Sequence, residues 1–217
     1  SNMRIRILDS HGRTPLEPGN SLAGRIADRM ERASFKLATH ILVVSEGVAE
    51  QVPAEYADKL IPLGNGVDLR AFRNVPNRAL AWLPDAPAGE RTIGIVARFG
   101  ANLELDTIRR ALPHLNHPAR LVLIGDGPMV ERVQEKGEAS IIVAGRQSAD
   151  EVRCFLSHHC DTALTPYNPD APVSRNIGFF ASRKTREYLA AGCPVLVPSI
   201  PGLDSLYVPG ENCLVYD

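Results

Sequence analysis

Short apolar runs alternate with longer amphipathic stretches along most of the chain. The apolar runs are rich in Val, Ile and Leu and are bounded by Gly, Asp, Ser or Pro, which is typical of buried parallel strands: Ile5–Leu8, Ile41–Val44, Thr92–Val96, Leu121–Ile124, Ile141–Val143, Thr162–Thr165 and Pro194–Val197. Apolar positions three or four residues apart predict helices between them: Ser21–Leu37, Leu105–Leu112, Met129–Glu135, Ala149–His158 and Arg183–Ala191. Strands that alternate with helices predict an α/β fold, a Rossmann-like parallel sheet with helices on both faces.

Residues 74–90 interrupt this alternation, because they contain Pro76, Pro84 and Pro87 and show little periodicity. They predict a linker or a surface excursion. Residues 1–73 offer only two clear strands, too few for a complete sheet. Residues 91–217 carry the main sheet, and the apolar run at Cys213–Tyr216 has no helix after it, so we expect this unit to be C-terminally incomplete.

Composition narrows the range of partners. The chain has 24 Lys and Arg against 25 Asp and Glu, a net charge of -1, so there is no electrostatic reason to expect nucleic acid. No stretch approaches the roughly 20 apolar residues that span a bilayer, and no signal peptide is recognisable. The sequence therefore predicts a cytoplasmic protein.

One predicted helix carries a row of cations at three- and four-residue spacing: Arg25, Arg29, Arg32 and Lys36. Such a row can mark peripheral contact with a membrane surface. Asp28 and Glu31 interrupt it, so a solvated face is the favoured interpretation and peripheral contact is the alternative.

Candidate chemistry lies where predicted strands end. Arg98 follows the strand at Thr92–Val96, and its planar fork can hold a diphosphate, although a solvated surface arginine is equally consistent. Gly145 and Arg146 follow another strand, where an exposed backbone could bind the edge of a nucleobase or form an ordinary loop. The segment Gly125–Pro128 lacks the spacing of a dinucleotide site and favours a tight turn, with Pro128 as the first helical residue, while direct contact with a ligand is the alternative.

The segment from Ser182 to Val197 carries the strongest signal. Ser182, Arg183 and Lys184 open a helix, whose free backbone N–H groups and positive charge suit an anion. Lys184 and Glu187 share a face of this helix, which a surface ion pair would also explain. The helix is predicted to end at Gly192.

A metal site is not expected. The Asp-x-Asp motif is absent, and the consecutive residues His158, His159 and Cys160 do not share a face and have no second ligand cluster to complete a tetrahedral set.

Several of these segments occur in a familiar order. Val44-Ser45, Asn65-Gly66-Val67-Asp68, Gly125-Asp126-Gly127-Pro128, Gly145 and Glu187-Tyr188-Leu189-Ala190-Ala191-Gly192-Cys193-Pro194-Val195 together resemble the retaining glycosyltransferases of the GT-B fold, group 1 or family 4-like, from about Ala38 to Asp217. The resemblance implies that residues 1–73 are a remnant of the N-terminal acceptor-side domain with the crossover, residues 74–90 a linker, and residues 91–217 the nucleotide-sugar-binding domain.

The resemblance also implies a function. It implies a hexosyltransferase-type enzyme that moves a sugar with retention from a UDP- or GDP-linked donor to an acceptor, a glycan or a lipid-linked sugar, in polysaccharide or glycoconjugate biosynthesis, with no cofactor. Glu187 is implied to accept hydrogen bonds from the donor ribose, and Arg98 to lie near the diphosphate. His11 is implied to lie in the loop near the donor sugar. The candidate catalytic residues are then Arg98, Lys184 and His11, and the candidate donor-binding residues are Glu187, Gly145, Arg146, Ser182 and Arg183.

Two positions depart from the family pattern. The usual first glutamate falls at Phe179, and a common lysine falls at Leu103, so Lys184 is expected to supply the missing cation. These departures leave two alternatives: an epimerase or hydrolase of nucleotide sugars with the same fold, and a catalytically degenerate nucleotide-binding relative. We expect the 217-residue chain alone to be inactive in transfer.

Overall fold

The computed structural model describes residues 7–10, 22–44, 46–100, 103–130, 133, 140–168, 183–199 and 207–216. These residues form two compact units that divide between Asn65 and Gly66. Each unit is built on its own parallel sheet.

The first unit is a parallel sheet of three strands in the order β1-β2-β3, with β1 at Ile7–Ser10, β2 at His40–Val43 and β3 at Leu60–Pro62. Helix α1 (Leu22–Leu37) connects β1 to β2, and α2 (Glu46–Gln51) with a 3-10 turn (Ala54–Lys59) connects β2 to β3. Its core consists of Phe35, Ala38, Ile41, Val43, Val48 and Val52. The sequence predicted neither α2 nor β3, because both are short.

The second unit contains the larger sheet. Its strands are β4 (Arg91–Arg98), β5 (Ala119–Asp126), β6 (Ile141–Gly145), β7 (Thr162–Leu164), β8 (Val195–Pro198) and β9 (Cys213–Tyr216). They run parallel in the order β6-β5-β4-β7-β8-β9. The helices are α3 (Leu105–Ala111), α4 (Ala149–His158) and α5 (Arg183–Ala190), and residues 128–130 and 133 are also helical. The arrangement confirms the predicted Rossmann-like α/β fold.

Buried aliphatic side chains on β4 and β5 form the centre of the second unit, as their apolar runs predicted. Ile95 is 1% exposed, Leu121 1% and Leu123 0%, and they pack with Phe99 and Leu105. Because both faces of a central parallel strand are covered, such a strand reads as a continuous apolar run.

Residues 74–90 belong to the second unit instead of connecting two units. Leu80 is 5% exposed, and the rings of Trp82 and Phe155 lie 5.8 Å apart. His158 and His159 donate from Nε2 to the backbone carbonyls of Val75 and Arg78, at 2.7 and 2.9 Å. The boundaries therefore differ from the predicted division into 1–73, 74–90 and 91–217, because side chains of α4 and of the turn after it hold the proline-rich segment.

Helix ends in the second unit follow the predicted signals. Ser148 caps α4: its side chain accepts from the Glu151 N–H, and the Glu151 carboxylate accepts from the Ser148 N–H, which is a capping box. Helical structure begins at Pro128, and Gly192, at φ +71°, follows the end of α5.

No helix within the described ranges combines the length and the hydrophobicity needed to cross a bilayer.

Candidate functional site

The strand order of the second sheet reverses at β4. From β4 the chain passes to β5 and β6 on one side, and it later returns to β7, β8 and β9 on the other side. Open parallel sheets bind ligands at such a switch point, outside the carboxyl ends of their strands. Topology alone therefore places the candidate site outside the carboxyl end of β4, where β4 adjoins β7.

A cleft of about 770 Å³ opens at this position. Strand ends, the loops that follow them, α4 and the first turn of α5 contribute its walls, which comprise Val96, Ala97, Arg98, Ile124, Gly125, Asp126, Gly127, Pro128, Arg146, Gln147, Val152 and Lys184. Elements that are distant in sequence thus converge on one cavity within the second unit.

The turn after β5 is packed directly on the end of β4. Gly125 and Gly127 both adopt φ +136°, and a Cβ at Gly125 would lie 1.8 Å from the Ala97 carbonyl oxygen. The Phe99 N–H donates to the Asp126 carbonyl at 2.7 Å, and the Met129 N–H donates to the Phe99 carbonyl at 3.2 Å. These contacts confirm the predicted tight turn and give the cleft a fixed floor.

Three cations line this cleft: Arg98 on β4, Arg146 after β6 and Lys184 on α5. Arg98 is exposed, and its guanidinium group has no hydrogen bond or ion pair with any described residue. Arg146 Nη1 lies 3.6 Å from Asp126 Oδ2, but both side chains are more than half exposed, so this pair is weak. The cleft therefore offers positive charge that the protein itself leaves mostly unneutralised.

Lys184 differs from the two arginines in its environment. Burial lowers the pKa of Lys184, the carboxylate of Glu187 acts in the opposite direction, and Arg183 lowers it further. A partly buried ammonium group next to a second cation is stabilised by an anion, because the anion replaces the lost solvation. Lys184 is thus suited to contact a phosphate.

Glu187 lies one helical turn after Lys184 but is not among the residues that line the cleft. Its Oε1 is 3.6 Å from Arg183 Nε, and the two side chains are 30% and 74% exposed. Arg183 and Glu187, which were both predicted to bind the donor, therefore form an ion pair across one turn of α5.

Gly145 ends β6 at φ +67°, and a Cβ built there would have no heavy atom within 4 Å. The space beside its Cα is therefore not filled by the described residues that are not its neighbours in the chain. The Gln147 side chain donates to the Ala144 carbonyl at 2.5 Å and fixes the loop that carries Arg146. His11, Ser182 and Phe179 lie outside the described residues.

The sequence analysis did not consider Gln147 and Val152 as lining residues, and for the segment that contains Asp126 it favoured a tight turn over ligand contact. Asp126 and Gln147 stand at or just after the carboxyl ends of strands beside the switch point, a signal that the strand order would have supplied. Val152 on α4 had no signal in the sequence.

Leu103, at the position of the family lysine, is 4% exposed and forms an antiparallel bridge with Tyr167. It packs in the core with Phe99 and Leu105. A lysine could not occupy this environment without burying its charge, so the surroundings of Leu103 suit an apolar side chain.

Within the described part of the chain, no group of three or more His, Cys, Asp and Glu side chains could hold a metal ion.

A model of the family described as Glycosyl transferases group 1 matches residues 90–217, more than half of the 217 residues. The chain belongs to this family. The match covers all strands of the second sheet and the whole lining of the cleft.

Solved structures extend the likeness to both units. Anabaena Alr3699/HepE, in a structure with UDP and glucose, is 18% identical with a TM-score of 0.67, covering 98% of this chain and 58% of that chain. A glycosyltransferase from Rickettsia africae ESF-5 is 16% identical with a TM-score of 0.67, covering 96% and 55%. The lipopolysaccharide outer core galactosyltransferase WaaB is 18% identical with a TM-score of 0.58, covering 84% and 50%.

These likenesses confirm the GT-B type of fold for a chain that spans little more than half the length of the solved structures it resembles. Comparison with curated proteins gives no significant match. The part of the chain that matches the group 1 family model is thus the part that forms the cleft.

Proposed function

We propose that this group 1 protein binds a nucleoside diphosphate sugar in the cleft at the end of β4 and transfers the sugar to an acceptor. The observation that carries the proposal is the convergence of Arg98, Arg146 and Lys184 on one cavity, whose described lining residues include one carboxylate, Asp126. Anabaena HepE, which shares the fold, has structures with UDP and with UDP-glucose.

Charge neutralisation is the chemical task that this arrangement suits. As the bond between the anomeric carbon and the phosphate oxygen breaks, negative charge grows on the departing diphosphate. In this proposal Arg98, Lys184 and the backbone N–H groups at the start of α5 would stabilise that charge, which is the kind of preorganised interaction that lowers a transition-state barrier.

Retention of anomeric configuration is part of the proposal. Among the described lining residues Asp126 is the only carboxylate, and the resemblance to retaining GT-B enzymes implies displacement without a covalent enzyme intermediate. A same-face displacement is therefore favoured, in which the acceptor hydroxyl attacks the anomeric carbon, gives its proton to the released phosphate oxygen and forms the new glycosidic bond.

The remaining donor-binding roles follow from position along the cleft. Gly145 and Arg146 would bind the nucleobase edge of a UDP- or GDP-linked donor, and Glu187 would accept from the ribose hydroxyls once it separates from Arg183. Ser182 and His11 keep their predicted roles near the diphosphate and the donor sugar. The acceptor is proposed to be a glycan or lipid-linked sugar, and the transfer a hexosyl transfer in polysaccharide biosynthesis.

Glu187→Ala tests the donor site. Loss of a charge-assisted hydrogen bond corresponds to about 1.5 to 3 kcal/mol, so the dissociation constant for UDP or GDP should rise roughly 10- to 150-fold by titration calorimetry. The matched control is Asp106→Ala, which removes the carboxylate of another helical ion pair, with Arg109 at 3.4 Å. Equal affinities for the wild type and the Glu187 variant would remove Glu187 from the site.

A second candidate function is nucleotide binding without transfer. The buried Leu103 favours it, because the cation of the family pattern is replaced there by a core side chain. Sugar transfer measured on the full-length protein separates the two: transfer establishes an enzyme, and nucleotide binding with no transfer to any acceptor supports the degenerate relative.

A further inference from the structure

The pairing between β4 and β7 stops before the cleft. The two strands pair only at Ile93 with Thr162 and at Gly94 with Ala163, and β7 ends at Leu164. On its other side, β4 stays paired with β5 as far as Arg98. The backbone N–H and C=O groups of β4 that follow Gly94 and face β7 therefore need other hydrogen-bond partners.

Tyr188 on α5 supplies those partners. The Val96 N–H donates to Tyr188 Oη at 2.9 Å, and Tyr188 Oη donates to the Val96 carbonyl at 3.2 Å. One phenol thus accepts from and donates to the same residue of β4, in place of a neighbouring strand.

This hydroxyl is sealed inside the protein. Tyr188 is 1% exposed, and burial raises its pKa, so the hydroxyl keeps the proton that it donates to Val96. Because it is buried, Tyr188 cannot touch a ligand in the cleft.

Two parts of the proposed diphosphate site are joined through this contact. Val96 precedes Arg98 by two residues on β4, and Tyr188 follows Lys184 by one helical turn on α5. The hydroxyl is therefore a direct polar link between the strand that carries one cation and the helix that carries the other.

We propose that Tyr188 is a positioning residue that sets the separation of Lys184 from Arg98 for a nucleoside diphosphate, an inference that rests on the proposed function of the cleft. Thr185, which is 0% exposed, places the same side of α5 in the core, and the phenol attaches that side to β4. Without the hydroxyl, α5 keeps the ring of its side chain in the core but loses its polar attachment to β4.

Tyr188→Phe is the test, because it removes only the hydroxyl. We expect the dissociation constant for UDP or GDP, by calorimetry well below the melting temperature, to rise about tenfold. The matched control is Thr92→Val, which removes a buried hydroxyl at the opposite end of β4, where it accepts from Arg120 Nε at 3.0 Å. We expect Thr92→Val to lower the melting temperature and leave nucleotide affinity unchanged; an equal loss of affinity in both variants would mean general destabilisation and overturn the proposal.

Coupling to Lys184 is the measurement that a merely structural role would not affect. In a Lys184→Ala background, Tyr188→Phe should weaken binding by well under the tenfold seen in the wild-type background, because the group that it positions is gone. Full additivity of the two substitutions would contradict a positioning role.

Amide hydrogen exchange tests the contact without a variant and separates it from the proposed function. In the wild-type protein, saturating nucleotide should slow exchange at the Val96 amide, since the ligand and the Tyr188–Val96 hydrogen bonds stabilise the same relative position of α5 and β4. Binding that leaves Val96 exchange unchanged overturns the positioning role. A wild-type protein that binds neither UDP nor GDP overturns the proposed function and, with it, this inference; in that case faster Val96 exchange in Tyr188→Phe would still show the phenol to be a structural clamp.

Discussion

Lys184 occupies the first turn of α5, where burial, a neighbouring arginine and a carboxylate one turn away act on the same ammonium group. Among the three cations of the cleft, it is the one whose charge is least solvated. An anionic ligand would compensate for this loss of solvation. Substitution of Lys184 is therefore the most informative change in the site.

Lys184→Ala is expected to slow turnover by about 10²- to 10³-fold and to weaken nucleotide binding less, because charge on the leaving group grows toward the transition state. Lys184→Arg should retain most of the turnover, since the charge is kept. Turnover and nucleotide affinity are measured separately in the full-length protein, with Arg110→Ala on the exposed face of α3 as a control. Unchanged turnover in Lys184→Ala would show that its ammonium group does not contact the donor.

Glu151 gives a prediction for pH. Hydrogen bonds from the side chain and then the backbone of Ser148 lower the pKa of Glu151. A carboxyl whose pKa is depressed in the folded state contributes stability above its unfolded pKa, about 4.3, and loses it as pH falls through the folded value. Glu151→Gln should therefore lose less stability than the wild type between about pH 5 and pH 3, as measured by urea unfolding.

The control for this prediction is Glu211→Gln, an exposed glutamate in the turn before β9. Its acid sensitivity should match that of the wild type. A Glu151→Gln variant with the wild-type pH dependence would show that the capping box contributes nothing to acid unfolding.

At the residue scale, the sequence was informative where the type of side chain by itself indicates a possible role. Arg98, Arg146 and Lys184 were selected as cations at strand and helix ends, and the structure brings all three to one cleft. The contact between Tyr188 and Val96 could not be predicted, because it joins residues 92 positions apart and depends on where β7 stops.

The turn after β5 depends on close backbone packing, which the periodicity of the sequence does not indicate. The turn after β5 can pack on β4 only because Gly125 has no side chain, whereas Gly145 occupies a positive φ in open space. The two glycines therefore separate the effect of crowding from that of backbone conformation.

Gly125→Ala is expected to destabilise the second unit by about 2 to 4 kcal/mol, from backbone strain together with overpacking against the Ala97 carbonyl. Gly145→Ala should cost only about 1 to 2 kcal/mol, because its Cβ meets no atom and only the conformational preference is lost. Urea unfolding of both variants checks the difference. Equal losses would mean that the turn after β5 moves away to accommodate a methyl group.

At the element scale, β4 to β8 were predicted, because each contains an apolar run, although β6 is only half-buried. The first unit was predicted less well: β3 is only three residues long and mostly exposed, so its short apolar run does not stand out as a strand. For residues 74–90 the sequence left a linker or a surface excursion open, and it could not predict their attachment, which comes from histidine and aromatic side chains about 70 to 80 residues further along the chain.

The whole molecule consists of two units, and only the second contains the cleft. A ligand that binds the folded state alone raises the stability of the unit that holds it. This gives an inexpensive test of the proposed donor class before any acceptor is identified.

UDP or GDP at about 100 times its dissociation constant should stabilise the second unit by about 2.7 kcal/mol, which corresponds to a rise in melting temperature of roughly 5 to 11 °C. Uridine and guanosine are the matched controls, because they lack the diphosphate that the cations would bind. An equal shift with the nucleosides would assign binding to the base and ribose, with no contribution from the diphosphate. Hydrogen exchange identifies which unit is protected, and protection confined to residues 7–65 would place the site elsewhere.

The fixed floor beneath the cleft has a consequence for the time course of binding. Because the turn after β5 is already locked to the end of β4 by backbone hydrogen bonds, the diphosphate would meet a surface that needs no rearrangement on that side. Association should then be a single step, with an observed rate that rises linearly with nucleotide concentration in stopped-flow mixing. Any slow second phase would originate on the opposite wall, where a helix, instead of a strand, carries the cation.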